Sequence, residues 1–112
     1  MFKLNDKTLF RTENYINGEW VSDNGAKMDV FNPSTGEVIA QVSDGRVVEA
    51  VRAVEAALRS FARWSGLPAK ERANLLRKWY ELILENAEDL GMLMTLEQGK
   101  PLAEAIGEIK YG

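Results

Sequence analysis

The apolar residues Val47, Val51, Val54, Leu58 and Phe61 follow one another at spacings of four, three, four and three. Only an α-helix brings such a series onto one face, so the period predicts an amphipathic helix over about 45–63. Ser43 or Asp44 can cap its start. Alanines at 50, 53, 56 and 57 allow a neighbouring element to approach closely. Trp64 to Pro68 reads as a loop, with Pro68 suited to the first turn of a second helix. That helix, over 69–85, carries the stripe Leu75, Leu76, Trp79, Leu82 and Ile83. The two stripes are expected to bury against each other.

Asn86 marks a break or a kink, and a third helix covers about 87–97. In the stretch MTLEQGKPLAEA, Met94 to Ala105, that helix stops at Gly99 and a new one starts at Pro101. Glycine fits the left-handed position after a helix C-terminus, and Lys100 is a cation near the last carbonyls. The fourth helix, about 101–111, presents Leu102, Ala105, Ile106 and Ile109.

Before residue 44 the period is different. Tyr15 to Val21 places Asn17-Gly18 between aromatic and β-branched residues, the pattern of a type I′ hairpin. Lys27 to Phe31 reads as a second strand candidate, Asn32-Pro33-Ser34-Thr35-Gly36 as a turn, and Glu37 to Val42 as a third strand. Residues 14–43 therefore form a small antiparallel β unit. Residues 1–13 are polar, and Asn5 or Asp6 can cap a short turn through Leu9 and Phe10. The fold class is α+β, with residues 1–112 as one domain.

Composition excludes several functions. The chain is 46% apolar and 28% charged, within globular averages. A net charge of −3, with scattered Lys and Arg, argues against nucleic-acid or anionic-membrane partners. There is no cysteine and no histidine, which removes thiolate chemistry and the commonest general base. No apolar run approaches the roughly 18 residues of a membrane span. The start, MFKLNDKTLF, lacks the apolar core of a signal peptide, so a cytoplasmic setting is expected.

Phosphate-binding glycine motifs are missing. The carboxylates Glu85, Glu88 and Asp89 read as a solvated helix face rather than a paired-acid site. Trp20 and Trp79 are expected in the core rather than as ligand platforms. Gln98-Gly99-Lys100 reads as a helix cap rather than an anion nest. Arg72 and Arg77 read as surface charge pairs rather than a phosphate site.

The segments YINGEW, VFNPSTGEVIAQV, an Ala/Val-rich helix, AKERANLLRKW and TLEQGKPLAEA occur in that order over about residues 14–110. Together they resemble the N-terminus of the aldehyde dehydrogenase superfamily. Residues 4–20 and 94–109 are most similar to its bacterial succinate-semialdehyde dehydrogenase branch. Members of the superfamily are several times longer. The resemblance implies that this chain is an incomplete N-terminal part of a coenzyme-binding domain. The whole enzyme would oxidise a small aldehyde such as succinate semialdehyde, using NAD or NADP. A cysteine thiolate would attack the carbonyl and a glutamate would activate water for release of the acid. In the family these residues, the oxyanion-hole asparagine and the cofactor-binding residues lie downstream of this region. The chain alone is thus expected to be structural and inactive, with no cofactor bound.

The resemblance also implies a structural monovalent cation. Glu97, two residues before Gly99, and the backbone carbonyl of Phe31, just before the Asn-Pro turn, stand at two of its ligand positions. Family members often carry Asp where Glu97 stands, and a third ligand lies beyond residue 112. In the family fold these helices pack on a parallel sheet contributed by later sequence. Without it the fourth helix is expected to have least cover, which implies a homodimer or higher oligomer through residues 87–110. The rival reading is a stand-alone, non-catalytic helical interaction module.

Overall fold

The computed structural model describes residues 3–22 and 25–112. Strands β1 (Asn14–Ile16) and β2 (Glu19–Val21) pair antiparallel, with Tyr15 opposite Trp20. Their turn has φ 54° at Asn17 and 82° at Gly18, the two positive values that a type I′ turn requires. Strands β3 (Lys27–Phe31) and β4 (Val38–Ser43) form a second antiparallel pair. Val30 faces Ala40 while Phe31 faces Val38, so Ile39 is the extra residue of a bulge.

The β3–β4 turn is built on Asn32. Its side-chain Oδ1 accepts from the Ser34 N–H at 2.9 Å, and its carbonyl accepts from the Gly36 N–H at 2.8 Å. The β unit is therefore two separate hairpins rather than one sheet. The Ser43 N–H donates to the Thr12 carbonyl at 2.8 Å, joining the second hairpin to the segment that leads into the first.

Helices α1 (Val47–Ser65), α2 (Ala69–Glu85), α3 (Ala87–Gln98) and α4 (Leu102–Tyr111) match the expected spans. The α1 start differs from expectation. Ser43 is consumed by β4, and Asp44 accepts from Arg46 Nη2 at 3.2 Å. The cap is the reverse bond of a capping box: the Arg46 N–H donates to Glu49 Oε2 at 2.7 Å. Between α1 and α2, Arg72 Nη1 donates to the carbonyls of Leu67 and Ser65, so its charge secures a loop rather than pairing with an acid. Asn86 makes a true break, with φ −106° and ψ 14°, and its Nδ2 donates to the Leu82 carbonyl at 2.8 Å.

Packing inverts the expectation. The best-covered helix is α3, with Ala87, Asp89 and Gly91 buried, and the barest are α1 and α2. Helix α4 is covered at Ala105, which is 0% exposed. It lies against α3 so closely that a Cβ on Gly91 would sit 2.6 Å from Ile106 Cγ1 and 3.2 Å from the Ile106 nitrogen. Helix α1 turns Ala53 and Ala56 toward the first hairpin, with Ala56 and Ile16 of β1 buried and Ala53 half-buried. Alanine allows the hairpin backbone to approach, and the valine stripe is left on the far side. Val47 is 78% exposed and Leu58 72%. On α2, Trp79 is 64% exposed, and Leu75 and Leu82 are exposed as well. The stripes of α1 and α2 therefore do not bury each other. Trp20 is exposed too. Its ring lies 5.0 Å from that of Tyr15, with the Arg11 guanidinium 4.8 Å away.

A compact monomer of 12.6 kDa would expose roughly 6,200 Å² by the usual mass scaling. This chain exposes 8515 Å². Its radius of gyration, 16.6 Å, likewise exceeds the roughly 13 Å of a compact domain of this length. No large side chain among the described residues is fully buried. No helix is long and apolar enough to cross a membrane, among the described residues.

Candidate functional site

Two chain reversals meet at one end of the molecule. Gly99 closes α3 with φ 80°, and its N–H donates to the Thr95 carbonyl at 2.9 Å. A Cβ there would lie 2.8 Å from Pro33 Cγ and 4.0 Å from Ser34 Oγ. The α3–α4 reversal thus rests directly on the β3–β4 turn. That contact brings the segment carrying Glu97 beside the segment carrying Phe31. Glu97 is exposed, and Phe31 is the last residue of β3. Lys100 does not reach back to the α3 carbonyls as expected. Its Nζ pairs with Glu108 on α4, because the chain has already turned through Gly99. The cap reading of Gln98-Gly99-Lys100 therefore holds for Gly99. A carboxylate and a carbonyl form an oxygen-only donor set, the kind preferred by hard cations. Among the described residues, no group of three His, Cys, Asp or Glu is placed to hold a metal ion.

Two carboxylates read as solvated or unremarked in the sequence are buried, one at the other end of α3 and one at the start of α1. Asp89 is 6% exposed. Its Oδ1 accepts from the Asn5 N–H at 3.0 Å and from Asn5 Nδ2 at 3.2 Å, and its Oδ2 accepts from the Asp6 N–H at 2.8 Å. Glu49, the α1 cap, is buried as well. Position offers a signal for both: each stands third in its helix, where a carboxylate favours the helix dipole and can reach back to free N–H groups. Asp6 caps the 3-10 turn Lys7–Leu9. The Thr8 hydroxyl, then the Thr8 N–H, hold its carboxyl below the usual carboxylate value. A cleft beside it is lined by Asn5, Asp6, Glu85, Asn86, Asp89 and Lys110.

The remaining surface of note is apolar. Leu76, Trp79, Tyr80 and Ile83 of α2 form a groove with Ile109 of α4. It joins the exposed face of α2, and the α1 stripe extends the uncovered apolar surface. The site residues expected from sequence thus fall on either side of the place where the α3–α4 and β3–β4 reversals meet. The exposed faces of α1 and α2 are the features that sequence reading assigned to the core.

Comparison with known proteins identifies the family. The "Aldehyde dehydrogenase family" pattern matches residues 20–112. Over 110 residues the chain is 53% identical to the glutarate-semialdehyde dehydrogenase of Pseudomonas aeruginosa, covering 97% of this chain and 23% of that protein. It is 51% identical over 110 residues to the NADP(+) succinate-semialdehyde dehydrogenase of Escherichia coli, with the same coverage of each. The crystal structure of succinate-semialdehyde dehydrogenase from Burkholderia pseudomallei superposes with a TM-score of 0.94 at 46% identity, covering 98% of this chain and 23% of that one. The chain spans about 23% of the length of these relatives. Its two hairpins and four helices reproduce the fold of part of such an enzyme, and the chain belongs to the aldehyde dehydrogenase family.

Proposed function

We propose that this chain is the N-terminal structural portion of an NAD- or NADP-dependent aldehyde dehydrogenase acting on a small semialdehyde, such as succinate or glutarate semialdehyde. The observation that carries the reading is the uncovered surface. The chain exposes roughly 2,300 Å² more than a compact protein of its mass. A standard interface takes only about 800 Å² from each partner. The excess therefore suits the remainder of a domain better than a standard-sized dimer contact. The apolar faces of α1 and α2 are where that remainder would dock. The family match over residues 20–112 favours this role over a stand-alone interaction module.

On this reading the reacting groups belong to the rest of the enzyme, in a cytoplasmic setting. The chain has no cysteine to attack an aldehyde. Purified alone, it should give no aldehyde-dependent rise in NADH or NADPH absorbance with succinate or glutarate semialdehyde. Turnover that co-elutes with the chain on a sizing column would refute the role.

The cation reading draws support from the Gly99–Pro33 contact, which sets Glu97 and the Phe31 carbonyl on neighbouring segments. A melting temperature higher in potassium than in tetramethylammonium buffer is expected, with the difference lost in Glu97→Gln. Equal melting in both buffers would count against it. Self-association, expected from sequence through residues 87–110, finds more uncovered apolar surface on α1 and α2. When the remainder is absent, a homodimer or higher oligomer would form there.

A further inference from the structure

Residues 3–10 lie outside both hairpins and all four helices, with the short 3-10 turn as their own structure. Among the described contacts, two tie their inner end to the helices. Leu4 is buried, and the Asp89 carboxylate accepts three hydrogen bonds from Asn5 and Asp6. Asp89 forms no ion pair among the described residues, so these donors and the N-terminal end of α3 are what compensate a buried charge. The 3-10 turn is closed locally by Asp6, through Thr8.

We propose that residues 3–10 are a detachable strap, latched to α3 by Asp89, which opens as a unit while α3 and α4 stay packed. Each end of the strap has its own physics. The inner end depends on one carboxylate, and that carboxylate regains water when the strap lifts, so opening leaves no buried charge behind. The α3–α4 contact has its own close approach, between Gly91 and Ile106, although Ile106 also lines the cleft beside the strap. Opening would also remove the Asn5 and Asp6 wall of the cleft at the α2–α3 break. Local opening below the global unfolding free energy is the general behaviour of such segments.

Amide hydrogen exchange on the full chain tests this. Asp89→Asn leaves one acceptor oxygen and places an NH₂ where the second was. Exchange at the Asn5 and Asp6 N–H groups should accelerate about tenfold or more, the loss expected for hydrogen bonds to a charged acceptor. Amides of Leu93 to Leu96 should change by less than about twofold, within the precision of such additivity. Glu88→Gln, on an exposed neighbour, should change neither. Equal acceleration across the strap, α3 and α4 would overturn the proposal, as would unchanged protection at Asn5 and Asp6. Should Asp89→Asn fail to fold, exchange of the unaltered chain in low denaturant decides. Strap amides are expected to exchange through an opening of small denaturant dependence, and α3 amides through a larger one. A single shared dependence would overturn the proposal.

Discussion

The double substitution Leu58→Glu and Trp79→Glu is expected to leave the isolated chain folded, with stability changed by less than about 0.5 kcal/mol per site, as for ordinary surface positions. In a helical domain whose two apolar stripes faced each other, the same pair would bury charge and unfold the protein. Here Leu58 and Trp79 are largely solvent-exposed, and glutamate is as good a helix former as leucine. The large effect should appear in association. Every 100 Å² of apolar surface covered is worth about 2.5 kcal/mol. The unaltered chain should bind a hydrophobic dye and sediment as a dimer or larger at micromolar concentration, and the double variant should do neither. Unfolding of the variant by circular dichroism would show that the stripes are core after all.

Gly91→Ala should instead strike the part of the molecule that is packed. The added methyl would meet the Ile106 side chain at 2.6 Å, its nitrogen at 3.2 Å and its Cα at 3.3 Å. The side chain can turn away, but the backbone of α4 cannot move without leaving Ala105 uncovered. Overpacking of this kind costs about 1–3 kcal/mol, although alanine is the better helix former. Gly99→Ala, measured in the same urea titration, should also destabilise. It combines a left-handed backbone with a 2.8 Å approach to Pro33, and the positive φ alone is worth on the order of 1 kcal/mol. A Gly91 variant as stable as the parent would mean that α3 and α4 are not held at this spacing.

Local features were legible in the sequence because they are set by residues close together along the chain. Asn17-Gly18 encodes its turn through two positive φ values, and Gly99 encodes a helix end through one. Pro68, Asn86 and Pro101 punctuate the helices where they stand. The side of each helix that is covered was not legible. In α1 two faces compete, one of valines and one of alanines, and hydrophobicity favours the valines. The hairpin takes the alanines because small side chains let a strand come close, so the larger ones remain for something else. Trp20 and Trp79 were misplaced for the same reason: periodicity reports that a face is apolar, not what covers it. Asp89 was misread because its donors come from Asn5 and Asp6, more than eighty positions away, and no local pattern announces them. Of the candidate cation site, the two segments were legible and their meeting through Pro33 was not.

The docking role can be tested by supplying the missing surface. The Escherichia coli succinate-semialdehyde dehydrogenase, expressed without the segment that this chain matches, would be mixed with the chain and assayed for aldehyde-dependent reduction of NADP. Activity is expected from the mixture and from neither part alone, and it should be lost when the chain carries Leu58→Glu and Trp79→Glu. Activity that survives those two substitutions, with both parts folded and associated, would contradict docking through α1 and α2.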